Sequence, residues 1–243
     1  MGDQRVIRIL AMVASHTGKF SNTYRLAQAV LQGARAAHPA IEEEFVFLSD
    51  HDVRPSTGCI TCLRKGYCPQ QDDVPRLQER ILAADGIIFG SPVYMLHVSA
   101  QAKAFLDRCL GWAHRPPLQG KYVVTIASSL GLGGDLVNGY LAQVWTSFGA
   151  QVVGSVEGQA IIKGMWLNRE QVLEETARAG RDLVRAILER PVLPVPDFER
   201  ERFERFRQLI HMPVVGAKLF RADQEFWRQR EGREPSHGAG QAD

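Results

Sequence analysis

The sequence lacks the features of a membrane, secreted or nucleic-acid-binding protein. Its longest apolar runs, such as residues 122–127, have strand length and are far too short to span a bilayer. The amino-terminal residues enter a strand-like run without the apolar stretch and cleavage site of a secretory signal. The formal net charge is only +2, with 29 basic and 27 acidic residues interspersed. We therefore expect a cytoplasmic protein that binds neither nucleic acid nor membranes.

Cysteine is also scarce, and its distribution is uneven. Three of the four cysteines, Cys59, Cys62 and Cys68, lie close together in the chain. In a reducing compartment such clustering favours metal or redox chemistry over a structural disulfide framework. Apolar residues make up 45% and charged residues 23% of 243 residues, which is typical of a globular domain with a sizeable core.

Strand-length apolar runs alternate with helical patterns, as expected of βαβ units that form a parallel sheet covered on both faces. The predicted strands cover residues 6–13, 45–48, 86–90, 122–128 and 151–156. The predicted helices cover residues 21–37, 77–84, 99–112, 133–148 and 168–189. The sequence therefore predicts a doubly wound sheet of five parallel strands.

Two segments interrupt this pattern. Residues 50–75 show no clear element, hold the three clustered cysteines and end in Asp72 and Asp73, which we expect to cap the next helix. After the proline-rich residues 191–196, charged and apolar residues alternate. We divide the chain into a domain of residues 1–190 and an extension of residues 191–243, expected to be helical, to contact another subunit and to be disordered at its end.

Three loops follow strands at their carboxyl ends, where an open α/β sheet binds its ligand. The first, residues 14–23, is rich in hydroxyl and amide side chains and runs into a helix N-terminus, which attracts phosphate. It matches neither the Walker nor the dinucleotide glycine pattern. It predicts a cradle for a monophosphate, with an ordinary capped helix as the alternative.

The second and third loops suit a flat ligand. In residues 90–97, Pro92 restricts the backbone and Tyr94 offers a ring that can lie against an aromatic group; a partly buried core position is the alternative. Residues 128–134 are rich in glycine, which lets backbone approach a ligand; a flexible connection is the alternative. Three such loops on neighbouring strands predict one site.

Residues 90–94 and 100–108 resemble the central signature of the NAD(P)H-dependent FMN reductase and flavodoxin-like oxidoreductase superfamily, and Ser21-Asn22-Thr23 is similar to the end of its phosphate loop. The resemblance covers residues 5–190. It implies a flavodoxin-like fold, FMN as cofactor and NAD(P)H as co-substrate. It also implies two groups of cofactor-binding residues: for the phosphate Ser15, Ser21, Asn22 and Thr23, with Lys19 as a further candidate, and for the ring system Pro92, Val93, Tyr94, Met95, Ser129, Gly131 and Gly133.

Within this superfamily, the segment with Cys59, Cys62 and Cys68 resembles the cysteine segment of iron–sulfur flavoproteins. That set has four compact cysteines, and the spacing here places Ser56 at the first ligand position. Cluster ligation normally uses four thiolates. We expect no metal here but unmetallated or redox-active thiols, with a [4Fe-4S] cluster and zinc as the alternatives. Cys109 is expected to be a buried apolar thiol.

The resemblance implies an FMN-dependent oxidoreductase. It would pass electrons from NAD(P)H through flavin to a small acceptor such as a quinone, a nitroaromatic or free flavin, in a homodimer or homotetramer. No catalytic side chain is expected, because flavin N5 carries the chemistry. Two alternatives stay open: an electron-transfer flavoprotein with a protein partner, and a flavodoxin-like binding protein without flavin.

Overall fold

The computed structural model describes residues 5–230, which form one twisted sheet with helices on both faces. The strand order is β2-β1-β3-β5-β6-β7, and β4 pairs with β3. Strands β1, β2, β3, β5 and β6 pair in parallel, whereas β4 and β7 are short antiparallel additions. The predicted sheet of five parallel strands is confirmed. The strands are β1 (Ile7–Val13), β2 (Ile41–Phe47), β3 (Gly86–Tyr94), β4 (His97–Val98), β5 (Tyr122–Ser129), β6 (Gln151–Ile162) and β7 (Met165–Trp166).

Ten helices are found in the described part of the chain. Helices α1 and α7 cover one face of the sheet, and α3, α4 and α6 cover the other. None of the helices within residues 5–230 combines the length and the apolar composition that a membrane span requires. The helices are α1 (Asn22–Ala37), α2 (Thr61–Lys65), α3 (Val74–Ala83), α4 (Ala100–Arg108), α5 (Leu110–His114), α6 (Gly134–Ser147), α7 (Arg169–Glu189), α8 (Asp197–His211), α9 (Pro213–Leu219) and α10 (Arg221–Arg228).

Several strand bounds differ from the prediction. Strand β2 begins at Ile41, before the predicted start at residue 45. The prediction missed these residues because three of them are glutamates, which are exposed at the edge of the sheet and interrupt the apolar pattern. Strand β3 does not end at Gly90 but continues to Tyr94, since Ser91 and Pro92 still pair with β5. Strand β6 continues to Ile162 and turns back into β7.

Two helical predictions also need correction. The predicted helix of residues 99–112 is interrupted at Cys109, where the hydrogen bonding shortens: the amide of Trp112 donates to the carbonyl of Cys109 at 2.8 Å. In the segment predicted to lack structure, α2 forms one short turn of helix beside the cysteines. The prediction of one helix over residues 99–112 missed the break at Cys109, because α4 and α5 both keep a helical spacing of apolar residues.

The extension is helical, as predicted, and it packs against its own domain. Phe206 and Ile210 of α8 are buried. The rings of Phe206 and His114 lie 4.0 Å apart between centroids. Asp223 of α10 is fully buried and pairs with Arg115 and His114. The domain boundary and the contact with another subunit stay predictions, and the predicted disorder at the end concerns residues 231–243, outside the described range.

Candidate functional site

One cavity of about 340 Å³ opens at the carboxyl ends of β1, β3 and β5. All three predicted loops contribute to it, as the topology of an open parallel sheet requires. Its volume lies in the range of small-molecule sites. The lining residues are Ser15, Thr17, Phe20, Ser21, Asn22, Thr23, Pro92, Val93, Tyr94, Ser128, Ser129, Leu130, Ala160 and Lys163.

The first loop presents backbone donors at the start of α1. The Ser21 hydroxyl caps the helix by accepting from the amide of Tyr24 at 3.0 Å, and it donates to the carbonyl of Gly18 at 2.7 Å. The amides of Asn22 and Thr23 find no acceptor among residues 5–230, as expected in a first helical turn. These two N–H groups and the helix dipole favour an anion.

Thr23 attaches the first loop to the strands of the sheet. This side chain is fully buried, and its Oγ1 lies 2.7 Å from Oγ of Ser128 at the end of β5. Gly90 of β3 provides the space: a Cβ there would lie 2.6 Å from Cγ2 of Thr23. The glycine is therefore required for the close approach of α1 to the sheet.

The second loop changes from buried to exposed as it leaves the sheet. Pro92 is buried, Val93 is half-buried and Tyr94 is 56% exposed, so the core position considered for Tyr94 is wrong. Met95 and Leu96 adopt left-handed backbone conformations, with φ of 49° and 62°. Such conformations are uncommon for these residue types and build the tight turn from β3 into β4. Met95 is 97% exposed and lies outside the cavity lining.

The third loop is braced from both sides. The hydroxyl of Ser129 donates to Oε1 of Glu157 at 2.8 Å and accepts from the amide of Gly131 at 3.1 Å. Gly131 and Gly133 have φ of 114° and 82°, which favour glycine. A Cβ at Gly133 would lie 3.1 Å from Cγ1 of Val93, so the third loop packs on the second. The two glycines shape the cavity without lining it.

The sequence prediction missed the contribution of the hairpin between β6 and β7. Ala160 and Lys163 line the cavity, and Nζ of Lys163 lies 4.5 Å from the ring centroid of Phe20. The amide of Gly164 donates to Oδ1 of Asn22 at 2.8 Å, which attaches the hairpin to the first loop. Lys19, the predicted cation, does not line the cavity. The turn residues Lys163 and Gly164 between apolar pairs were a hairpin signal.

This geometry agrees with a comparison of the sequence with known families. Residues 7–160 match the family described as NADPH-dependent FMN reductase. The chain belongs to this family. It is therefore an FMN-dependent oxidoreductase that uses NAD(P)H, as the sequence predicted.

Relatives and solved structures agree with this family membership. An iron–sulfur flavoprotein of Archaeoglobus fulgidus is 33% identical over 213 residues, which are 87% of this chain and 94% of that protein. An NAD(P)H:quinone oxidoreductase from Methanothermobacter marburgensis superposes with a TM-score of 0.58 at 22% identity, covering 74% of this chain and 98% of that chain. An apo NADH:FMN oxidoreductase gives a TM-score of 0.54 at 20% identity, covering 80% and 94%. These two structures confirm the flavodoxin-like fold.

The residues of the cavity fit the phosphate and ring of a flavin mononucleotide. Free amides at the first turn of α1, the buried hydroxyl of Ser15 and the nearby ammonium of Lys163 form a donor set suited to one phosphate group. The space for a planar ring lies between the loop of Pro92 to Tyr94 and the loop of Ser129 and Leu130. Of the predicted site residues, eight line the cavity, namely Ser15, Ser21, Asn22, Thr23, Pro92, Val93, Tyr94 and Ser129.

The cysteine segment offers three thiols, one fewer than ligation of a [4Fe-4S] cluster normally uses. Cys59 is exposed, Cys62 and Cys68 are half-buried, and all are free thiols. The Ser56 hydroxyl, which stands at the first ligand position, accepts from the amide of Gly58 at 3.3 Å. Across residues 5–230, no three His, Cys, Asp or Glu side chains are grouped to hold a metal ion.

Cys109, the fourth cysteine, is buried in the core at the junction of α4 and α5. Its thiol is buried, it accepts from Nε2 of Gln78 at 3.3 Å, and burial raises its pKa to about 12. Cys109 is the buried apolar thiol that the sequence predicted.

Proposed function

We propose that the cavity binds FMN with its phosphate at the first turn of α1 and its ring between the second and third loops. The observation that carries this proposal is the convergence of the three loops on one cavity. Ser15, Ser21, Asn22 and Thr23 would hold the phosphate, and Lys163 takes the place proposed for Lys19. Bound FMN would accept a hydride from NAD(P)H and pass on electrons, chemistry that no protein side chain provides.

The protein itself would bind the phosphate of FMN, orient its ring and limit the exposure of the ring to solvent. The amides of Asn22 and Thr23 point out of the helix start and can bind phosphate oxygens without rearrangement. Pro92 and Val93 form a stiff wall, because Pro92 still pairs in the sheet with Ser128. The side chains of Tyr94 and Leu130 line the cavity and are exposed, so the side of the cavity that they form is open to solvent.

We propose that the acceptor is a small, flat molecule such as a quinone, a nitroaromatic or free flavin. Tyr94 and Leu130 line the cavity, and the exposed Met95, Leu96 and Leu132 belong to the same two loops. These side chains suit an apolar ring more than a charged protein surface. An electron-transfer flavoprotein working with a protein partner is the alternative.

The test is anaerobic turnover of the purified protein. We expect flavin absorption, and oxidation of NADH or NADPH that depends on an added benzoquinone. A preparation that takes up no FMN on reconstitution would contradict the cofactor site. Flavin that neither nicotinamide reduces, but that a reduced electron carrier protein does, would support the alternative.

We further propose that the protein is a homodimer or homotetramer. Large apolar side chains are exposed in segments at the carboxyl edge of the sheet, and large exposed apolar patches mark interaction surfaces. They belong to four segments around the cavity and include Phe20, Met95, Leu96, Leu130, Leu132, Ile161, Ile162 and Met165. A second copy of the chain would cover this edge and form one side of the flavin site. The extension would add to the contact through the exposed side chains of Phe198 and Leu209.

Light scattering on three variants separates the two contact regions. Leu132→Glu should dissociate the assembly if the cavity edge is the interface, whereas Leu209→Glu or truncation at Pro191 should do so if the extension contributes. A monomeric wild type would contradict the proposal.

We also propose a cytoplasmic location, because all four cysteines are free thiols. Recovery of the native protein in a periplasmic or secreted fraction would overturn this location.

A further inference from the structure

We infer that the cysteine segment is a redox-active dithiol, in which exposed Cys59 attacks small anionic disulfides and Cys62 resolves the mixed disulfide. This activity uses none of the residues proposed for FMN and is separate from the proposed function.

Cys59 and Cys62 are separated by two residues at the start of α2, and they differ in exposure. Cys59 is exposed, whereas Cys62 and Cys68 are half-buried. Burial is the main reason that the pKa of the Cys62 thiol is raised. Cys62, which lies in α2, is therefore better shielded from solvent than Cys59. An exposed attacking thiol and a shielded partner are what thiol–disulfide exchange requires.

Cys59 is the group equipped to attack. Hydrogen bonds from the hydroxyl and amide of Thr61, and from the hydroxyl of Thr57, lower its pKa to about 7. A thiol with a pKa near ambient pH combines a large thiolate fraction with good nucleophilicity. By contrast, burial keeps Cys109 protonated, with a pKa of about 12.

The backbone of the segment is held in place on both sides of the pair. Ile60 has φ of 47°, a left-handed conformation that turns the chain between Cys59 and Cys62. Nη2 of Arg115 donates to the carbonyl of Cys62 at 2.8 Å, and the same guanidinium pairs with the buried Asp223. The extension thus anchors the resolving cysteine to α5.

The surface beside Cys59 is basic. A depression between α2 and α10 is lined by Arg64, Lys65, Arg221 and Arg228, with Glu225 as its only carboxylate. Nη2 of Arg64 donates to the carbonyl of Cys59 at 3.3 Å, which places this cation next to the attacking residue. An approaching disulfide that carries carboxylates would meet complementary charge there.

The exchange is balanced without a further oxidant. The Cys59 thiolate attacks one sulfur of the external disulfide, forms a mixed disulfide and releases the first thiolate. The Cys62 thiolate then attacks Sγ of Cys59 and releases the second. Two protein thiols are oxidised to one disulfide, one external disulfide is reduced to two thiols, and the two protons from the protein thiols go to the released thiolates.

The experiment uses the full-length, flavin-loaded protein, reduced and desalted, with oxidised glutathione as the probe. We expect one Cys59–Cys62 disulfide and two glutathione molecules per chain, assigned by peptide mass spectrometry. Cys62→Ser should trap glutathione on Cys59, and Cys59→Ser should slow the reaction at least about tenfold, since the exposed thiol with the lowered pKa is removed. Cys109→Ser is the matched control and should react like the wild type.

A charge test separates recognition from intrinsic reactivity. Arg64→Gln with Lys65→Gln should slow the reaction with oxidised glutathione several-fold but leave the reaction with neutral 2-hydroxyethyl disulfide unchanged. Equal loss with both disulfides would overturn the anionic substrate class. A disulfide that maps to Cys62 and Cys68, or labelling of Cys59 no faster than of Cys68, would overturn the assignment of roles.

Metal analysis and turnover complete the test. Stoichiometric iron and acid-labile sulfide in anaerobically prepared protein would overturn the dithiol proposal. The variant with Cys59, Cys62 and Cys68 all replaced by serine should keep its FMN and oxidise NAD(P)H with benzoquinone within a few-fold of the wild type. Loss of glutathione reduction with retained quinone turnover would show that the two activities are separable.

Discussion

The guanidinium of Arg108 and the carboxylate of Asp72 form a buried ion pair, with Nη2 3.0 Å from Oδ1 and side-chain exposures of 1% and 0%. Arg108 lies at the end of α4, and its Nη1 also donates to the carbonyl of Arg54 at 2.9 Å. One guanidinium therefore fastens both ends of the cysteine segment to the helix that follows the cavity strand β3. The pair holds the segment in the shape that the thiols require.

Removing the charge of Asp72 should strongly destabilise the protein. Asp72→Asn leaves the buried guanidinium of Arg108 unpaired, and breaking a buried pair in this way costs about 3–5 kcal/mol. Urea unfolding should show this loss in the free energy of unfolding. The control is Asp107→Asn, which removes an exposed partner of Lys103 and should cost at most about 1 kcal/mol. Equal effects of the two variants would contradict the role assigned to the buried pair.

The same pair predicts how stability depends on pH. Burial alone would raise the pKa of Asp72, but hydrogen bonds from Arg108 and from the amides of Arg54 and Val74 outweigh burial and lower it. A carboxyl with a lowered pKa in the folded state stabilises the protein above its unfolded pKa of about 3.9. This contribution is lost as the pH falls through the lower folded value.

Urea titrations of wild type and Asp72→Asn between pH 7 and pH 3 measure this contribution. The gap in the free energy of unfolding between the two proteins should be constant near neutral pH and should narrow below about pH 4. A gap that stays constant down to pH 3 would show that Asp72 does not titrate with folding.

A methyl group at Gly90 should disturb FMN binding through Thr23. In Gly90→Ala the new Cβ would lie 2.6 Å from Cγ2 of Thr23, so the start of α1 must move away from the sheet. We expect a loss of FMN affinity of at least about tenfold, about 1.4 kcal/mol, measured by fluorescence titration of the apoprotein. The second substitution Thr23→Ser removes Cγ2 but keeps the hydroxyl that contacts Ser128. The double variant should recover most of the affinity, and failure to recover would disprove the steric explanation.

Negative charge at the start of α1 should weaken FMN binding without unfolding the helix. Aspartate is a good capping residue, so Ser21→Asp with Asn22→Asp keeps the cap while opposing the phosphate. We expect FMN affinity to fall at least about tenfold, with the unfolding midpoint nearly unchanged. Gln28→Glu adds a charge to the exposed face of the same helix and is the matched control. Unchanged flavin content after dialysis of the double variant would argue against this phosphate site.

Much of the fold could be predicted from local patterns of apolar residues in the sequence. Strands β1, β3 and β5 are buried on both faces, so they appear as nearly continuous apolar runs. The loops at their ends follow from the parallel topology, which is why Ser21 and Tyr94 were predicted to share a site. Strand β2 was less visible, since an edge strand can carry exposed glutamates.

The sequence by itself determined the order of elements, the three loops and the apolar side chains of the extension, because each depends on residues close together in the chain. Only the tertiary structure decided which distant groups meet. Arg108 pairs with Asp72 across 36 positions, and Arg115 with Asp223 across 108. Lys163 reaches the cavity because β6 runs on into a hairpin. Periodicity records which face of an element is buried, whereas the partner of a buried charge depends on how whole elements pack.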